Sequence, residues 1–187
     1  MNRLLVVAVL MLSSLALAEV GKVAALEGEA TRTPKGGTAA EALKAGSNVE
    51  LGDTLTVKTG NLKFELNDGS VIMLAPASTL EITEAEFQGQ ERTGFSGLLK
   101  AGSLWTKVKK AIGGGKFEVS TERAVAGVRG TIFRIDADAL VKGARGKGRK
   151  ASIVRVVEGA GGVKPAAVIG KTLKAALPKK GPLFDAD

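Results

Sequence analysis

The chain has no cysteine, no histidine and no tyrosine, and tryptophan occurs once. Without cysteine there are no disulfides, thiolate metal sites or thiol nucleophiles, so apolar packing and backbone hydrogen bonds must hold the fold. Without histidine, the commonest general base and the commonest zinc ligand are both missing. A paired-carboxylate hydrolase remains formally open, with Glu65, Asp68, Glu81, Glu84 and Glu86 as candidates. The first three have plainer explanations. Asp68 falls in an Asn-Asp-Gly-Ser turn, while Glu65 and Glu81 alternate with apolar residues and should face solvent. No catalytic residue is assigned, and the chain is read as a non-enzyme. Calcium binding through Asn67 and Asp68 lacks the repeated acidic spacing of loop sites. No metal or cofactor is expected.

What the chain does carry is positive charge. Lys and Arg number 27 against 19 Asp and Glu, a formal net charge of +8, which makes anionic partners the expectation. Nucleic acid is not expected among them, because an aromatic content of 4% provides little stacking surface and the chain reads as exported. Arg3, the apolar run Leu4 to Leu12 and Ala16-Leu17-Ala18 before Glu19 have the three-part layout of a secretory signal peptide. The apolar stretch stops short of the ~20 residues that cross a bilayer. Residues 1–18 are therefore read as the signal, 19–165 as one β domain and 166–187 as a tail. The mature protein is expected to be periplasmic or secreted, without a transmembrane anchor.

Apolar residues recur at every second position in Leu55/Val57, Leu62/Phe64/Leu66, Leu80/Ile82, Phe117/Val119, Phe133/Ile135 and Val154/Val156. That is the period of half-buried strands. Between them a glycine precedes a small polar residue at Gly46-Ser47, Gly52-Asp53, Gly60-Asn61, Gly69-Ser70, Gly102-Ser103 and Gly130-Thr131, which is turn chemistry. Short strands at frequent turns predict an all-β sandwich, barrel or solenoid. Three segments break the rhythm. Thr83 to Gly97, with Glu84, Glu86, Glu91 and Arg92, reads as a polar hairpin tip or surface loop. Lys142 to Lys150, KGARGKGRK, reads as a mobile basic loop. The tail offers Val168/Ile169, Leu173 and Leu177 at helical spacing, interrupted by Gly170 and ended by Pro178 and Pro182, so a short docked helix, a last strand and a loose end all stay open.

Several ordered motifs carry a family resemblance. Lys116 to Ile135 reads KFEVSTERAVAGVRGTIFRI, and upstream of it stand Leu51 to Gly60, then Leu62, Phe64 and Leu66, Asn67-Asp68-Gly69-Ser70, Val71 to Leu74 and Pro76. Gly102-Ser103-Leu104-Trp105 and the closing Val156-Val157-Glu158-Gly159 follow in order. This series resembles the FecR-type domain. The resemblance implies short strands coiled into a right-handed β-helix-like solenoid or roll; the β-sandwich that strand spacing also allows is the alternative. It also implies an envelope setting, since family relatives include membrane sensors that control sigma factors. Only three residues precede the apolar run, which leaves no room for the cytoplasmic anti-sigma part of such sensors.

Within the family motif, Gly127, Gly130 and Thr131, like Asp68 and Gly69, are read as structural, the glycines as positions that a Cβ would disfavour. Arg129 suits a carboxylate or phosphate clamp, but reads better as a partly buried arginine bonded to turn carbonyls or a nearby acid. Trp105, with Lys107 and Lys109 on the same face by alternation, could receive a sugar ring or an anionic glycan. The strongest contact candidate is the basic loop with Lys142, Arg145, Lys147, Arg149 and Lys150. If strands 132–136 and 153–157 pair, Arg134 and Arg155 extend it into one positive patch.

The expected function is a non-catalytic exported FecR-type module that binds a protein partner or an anionic glycan or lipid surface in the cell envelope. The alternative is a periplasmic component of a sigma-factor regulatory system without the anti-sigma segment. Intact-mass measurement of the exported protein should find Glu19 as its first residue, and a mass that includes Met1 to Ala18, in washed membranes, would refute the signal assignment.

Overall fold

The computed structural model describes residues 19–109, 114–142 and 148–165, with backbone alone for 140–142, 148–149 and 158–165. The expected signal (1–18) and tail (166–187) lie outside the described residues. In chain order the strands are β1 (Glu19–Thr33), β2 (Glu41–Ala42), β3 (Asn48–Glu50), β4 (Thr54–Leu66), β5 (Val71–Leu74), β6 (Ser78–Gln88), β7 (Glu91–Ala101), β8 (Ser103–Lys107), β9 (Glu118–Ser120), β10 (Ala124–Lys142) and β11 (Gly148–Pro165). The alternating residues behave as their period requires: Leu55, Val57, Leu62, Phe64, Leu66, Leu80, Ile82, Phe117, Val119, Phe133 and Ile135 are all buried. Val154 is partly buried against them, whereas Val156 is exposed.

Two long strands close the wall. β1 pairs with β4 from Gly21↔Leu66 to Thr33↔Thr54, which occupies one edge of β4 throughout. The other edge is shared, because β6 pairs with Thr54 to Val57 and β5 with Leu62 to Glu65. β10 is used the same way. β11 pairs along it from Ala124 to Lys142, while β9 takes Val125 to Gly127 and β8 takes Ile132 to Asp136. Between the two shared stretches lies Gly60 in β4 and Gly130 in β10, with φ of 70° and 60°. Each glycine turns its strand out of one half-sheet, β5–β8, into the other, β6–β7–β9. The result is a closed seven-stranded barrel of β4, β5, β8, β10, β9, β7 and β6. β1 with β2 and β3, and β11, are laid against its two bent strands.

The all-β expectation therefore holds, and the closed form is the barrel among the alternatives that strand spacing left open. Neither the β-helix-like path implied by the family resemblance nor the alternative sandwich is what the described strands form. A β-helix stacks coils through parallel ladders, yet every recorded pairing except β7–β9 is antiparallel. All six glycines placed before a small polar residue do have positive φ. Two of them, Gly60 and Gly130, sit inside strands as bends rather than in turns.

Three local expectations are corrected. Of the two readings of Thr83 to Gly97, the hairpin holds and the surface loop does not: β6 and β7 stay paired out to Gln88↔Glu91. In the basic segment, Lys142 and Gly148 to Lys150 belong to strands, paired as Lys142↔Gly148, Val141↔Arg149 and Leu140↔Lys150. An antiparallel ladder at the end of a hairpin is held by its backbone and does not require apolar side chains. Gly127 has no positive φ, and a Cβ there would meet only the Glu118 side chain at 3.7 Å.

Gly60 is the opposite case. A Cβ on it would stand 1.9 Å from the Glu27 carbonyl oxygen of β1, in addition to the left-handed φ. Gly60→Ala should destabilise the chain by about 2 kcal/mol or more, against about 0.5 kcal/mol or less for Gly127→Ala. Urea denaturation of both variants measures the difference, and equal midpoints would exclude the bend as the closing device.

Candidate functional site

The core of the barrel is largely apolar, and one end of it holds a buried arginine that sequence reasoning missed. Phe95 stacks on Phe117 at 4.8 Å, and Phe117 meets Phe133 edge-on at 6.3 Å. The Arg92 guanidinium lies 5.0 Å from the Phe117 ring centre. Arg92 is only 1% exposed. Its Nη1 donates to Asp68 Oδ2 at 2.5 Å and Ser70 Oγ at 3.0 Å, and its Nη2 to the Lys109 carbonyl at 3.2 Å. Asp68 also accepts from the Ser70 amide and hydroxyl, and Ser70 Oγ accepts from the Lys109 amide. Burial lowers the guanidinium pKa while the Asp68 and Glu91 carboxylates push it back up, and an arginine keeps its proton in such a setting.

This network ties the Asn67-Asp68-Gly69-Ser70 turn to the start of β7 and the end of β8. The turn forms as expected, with Gly69 N donating to Leu66 O and Leu66 N to Ser70 O. Asp68 is committed to Ser70 and Arg92, and Asn67 Nδ2 donates to the Glu19 carbonyl, so neither side chain is arranged as a calcium ligand. Among the described residues no cluster of three or more His, Cys, Asp or Glu side chains could hold a metal. Beside the network lies a polar cleft of about 320 Å³ between Asn67–Gly69 and Gln90–Arg92, with Glu65 and Lys109 on its walls. Of the other candidate carboxylates, Glu81 pairs with Lys100 and Glu84 with Lys116. Glu84 is held below the usual carboxylate range by hydrogen bonds from Ser96 and Lys116.

The outer face is where the sequence-predicted residues meet. Trp105 faces outward, half-buried, between the buried Leu104 and Thr106. Its register partners are Met73 on β5 and Arg134 on β10; Met73 is opposite Lys63, and Arg134 is opposite Arg155. One row therefore crosses five strands as Lys63, Met73, Trp105, Arg134 and Arg155, and spans roughly 19 Å at the normal strand spacing. Lys107 stands in the next row between Val71 and Ile132. Lys109 does not join this face, since it lies past the end of β8 and lines the cleft.

The expected pairing of 132–136 with 153–157 is present, and Arg134 and Arg155 are both exposed. They share one carboxylate that sequence reasoning overlooked. Asp136 accepts from Arg134 Nε at 3.0 Å, Arg155 Nη1 at 3.0 Å and the Ser103 hydroxyl. Burial pushes the Asp136 pKa up, but Ser103, Arg134 and Arg155 together outweigh it and hold the group low. Of the basic segment, Arg145 and Lys147 lie outside the described residues, and the side chains of Lys142 and Arg149 are likewise not described. Lys150 is exposed and stands 3.7 Å from Asp138. Arg129 is exposed rather than partly buried, with its guanidinium beside Gly114. Thr131 is buried, and its hydroxyl donates to the Arg129 carbonyl.

Together the fold and the face define an all-β barrel domain with a buried arginine at one end and a cationic, tryptophan-bearing outer wall. The chain belongs to the FecR protein family, whose model matches residues 52–160, more than half of its length and all of β4 to β10. No curated protein and no solved structure is significantly similar to the chain. Among the described residues no helix is long and apolar enough to cross a membrane.

Removing one member of the buried pair exposes its value. Arg92→Ala should cost about 3–5 kcal/mol by stranding Asp68, and the double variant Arg92→Met/Asp68→Asn should recover part of it. Chemical denaturation decides, and a loss for Arg92→Ala no larger than that for Arg134→Ala would show that the network is not structural.

Proposed function

We propose that the protein is a non-catalytic, exported FecR-type module that holds an anionic polysaccharide of the cell envelope on the outer face of β5, β8, β10 and β11. The observation that carries this is the register row in which the single tryptophan stands between Met73 and Arg134, with Lys63 and Arg155 at its ends. An indole supplies a flat apolar platform for a sugar ring. Cations on either side suit carboxylates along a polymer. Because Asp136 is shared by two arginines, one positive charge of that group stays uncompensated. The absence of histidine and cysteine, and the engagement of Asp68, Glu81 and Glu84 in ion pairs, support a binding role. Family membership also supports the second reading, a periplasmic component of a signalling system.

Trp105 reports on its own site, being the only tryptophan. Polygalacturonate should shift its fluorescence at low salt, with affinity falling at least about tenfold near 0.3 M salt, where the screening length is about 6 Å. Arg155→Ser should weaken binding and leave the melting temperature nearly unchanged, since Arg134 still satisfies Asp136. Phosphatidylglycerol vesicles binding in place of the polymer would reassign the face to a lipid surface. A chain indifferent to both at low salt ends the proposal.

A further inference from the structure

β11 is an edge strand. Among the described residues it pairs with β10 and with no other strand. Its outward backbone groups follow from the ladders on β10. Val108 N donates to Thr131 O, and Ala137 N donates to Gly102 O, so Thr131 and Ala137 bond toward the β8 side. Successive residues of a strand bond to opposite edges, and Ile132 to Asp136 run against β8 without a break in register. Arg134 and Asp136 therefore bond toward β11, to their register partners Arg155 and Ile153. That leaves the N–H and C=O of Val154 and Val156 directed at the free edge.

The side chains around this edge have a definite chemistry. Val156 and Val157 are the exposed large apolar residues of the described chain, at 41% and 58%. Val156 is opposite Phe133 and so lies on the inward-facing side of the sheet, where β11 runs out beyond the barrel wall. The solvent side is cationic. Arg134 and Arg155 share Asp136, which leaves one positive charge over, while Arg123 and Lys150 flank Asp138 and Arg123 also pairs with Glu122. Edge cations and a bulge, here the register shift between Ile132 and Phe133, are devices that prevent two like edges from joining. A second copy of this chain would bring positive edge against positive edge. An acidic strand meets no such barrier.

We propose that the free edge of β11 at Val154 and Val156 accepts, by strand addition, an extended segment of a partner protein in which acidic residues alternate with apolar ones. Main-chain bonds to Val154 and Val156 hold the segment, while alternate side chains read the two faces. Its apolar residues cover Val156 on the inward side, and its carboxylates meet Arg155 and Arg134 on the other. This inference concerns an edge and a protein, and it stands whether or not the outer face takes a polysaccharide.

The test is a titration of the full chain with a short blocked peptide of alternating glutamate and valine, followed by amide hydrogen exchange. On binding, the amides of Val154 and Val156 should gain protection, while those of Ile153 and Arg155, already bonded to β10, should change little. Val156→Pro deletes one outward N–H without breaking the β10 ladder, and should weaken the peptide about tenfold or more, which is about 1.4 kcal/mol. If that variant melts early, Arg155→Ser serves instead, and should lose the preference for the glutamate peptide over a lysine–valine one. Trp105→Ala should leave peptide binding intact, which separates the edge from the polysaccharide face. Equal binding of the lysine–valine peptide to the wild type, or no binding of the glutamate peptide, overturns the proposal. So does protection of Val154 and Val156 in the free chain at dilution, which would mean the chain covers its own edge, or protection that grows with protein concentration, which would mean a second copy does.

Discussion

A strand has two edges, yet β4 and β10 each bond to three neighbours, and the barrel depends on how that is arranged. One edge is given wholly to an outer strand, β1 or β11; the other is divided between two half-sheets by a bend at Gly60 or Gly130. Because both bent strands do this, the half-sheets meet twice and the wall closes. The bend is sterically demanding. At Gly60 the β1 backbone passes so near that a Cβ has no room, and the paired residue there, Gly28, also has a positive φ. Closure removes edges from the barrel itself and transfers the edge problem to the outer strands. β1 is partly covered by β2 and β3. β11 has no such cover among the described residues.

The closed wall leaves an interior end to be filled, and a guanidinium fills it. Arg92 can be buried because both terminal nitrogens and the guanidinium face are matched: a phenyl ring beneath it, the Asp68 carboxylate and a hydroxyl at one nitrogen, and a main-chain carbonyl at the other. Its Nε is the buried side-chain nitrogen without a bond. Buried pairs of this kind seldom add net stability over an apolar replacement, but they penalise any arrangement that separates them. Here the separated arrangement would be one in which the Asn67–Ser70 turn, the start of β7 and the end of β8 are out of register. The pair thus acts on which fold forms more than on how stable it is.

Much of this was legible in the residues. Period-two burial held at Leu55 through Ile135 because each strand has one face on a single core, and the Gly-polar dipeptides marked every positive-φ position they were assigned. Closure was not legible, since a glycine bend within a strand and a glycine turn between strands share one local chemistry. Arg92 was misplaced for a related reason. Alternation back from Phe95 puts Thr93 inside and Arg92 outside, but Gly94 and Phe95 are both buried, so the parity changes there. β1 escaped notice because its residues are mostly exposed and its strand state comes from the ladder with β4, not from its own pattern. On the outer face, Trp105, Arg134 and Arg155 were each readable, but their alignment with Met73 and Lys63 is a property of register across five strands.

Register also explains why a chain of modest local charge density presents an organised positive surface. Arg134 and Arg155 are far apart in sequence and directly opposed across β10 and β11, an arrangement that is repulsive unless something intervenes. Asp136 intervenes, bridging both from the neighbouring row while Ser103 fixes its orientation. One carboxylate is enough to hold two guanidinium groups in place and too little to neutralise them. Had both been paired one to one, the face would be silent toward anions; had Asp136 been absent, the arginines would splay apart. At the next step along β10, Asp138 stands between Arg123 and Lys150, but there Glu122 also pairs with Arg123 and the charges balance. Strand pairing across β10 and β11 therefore holds an uncompensated positive charge at Arg134 and Arg155, beside the edge that the closing of the barrel left open.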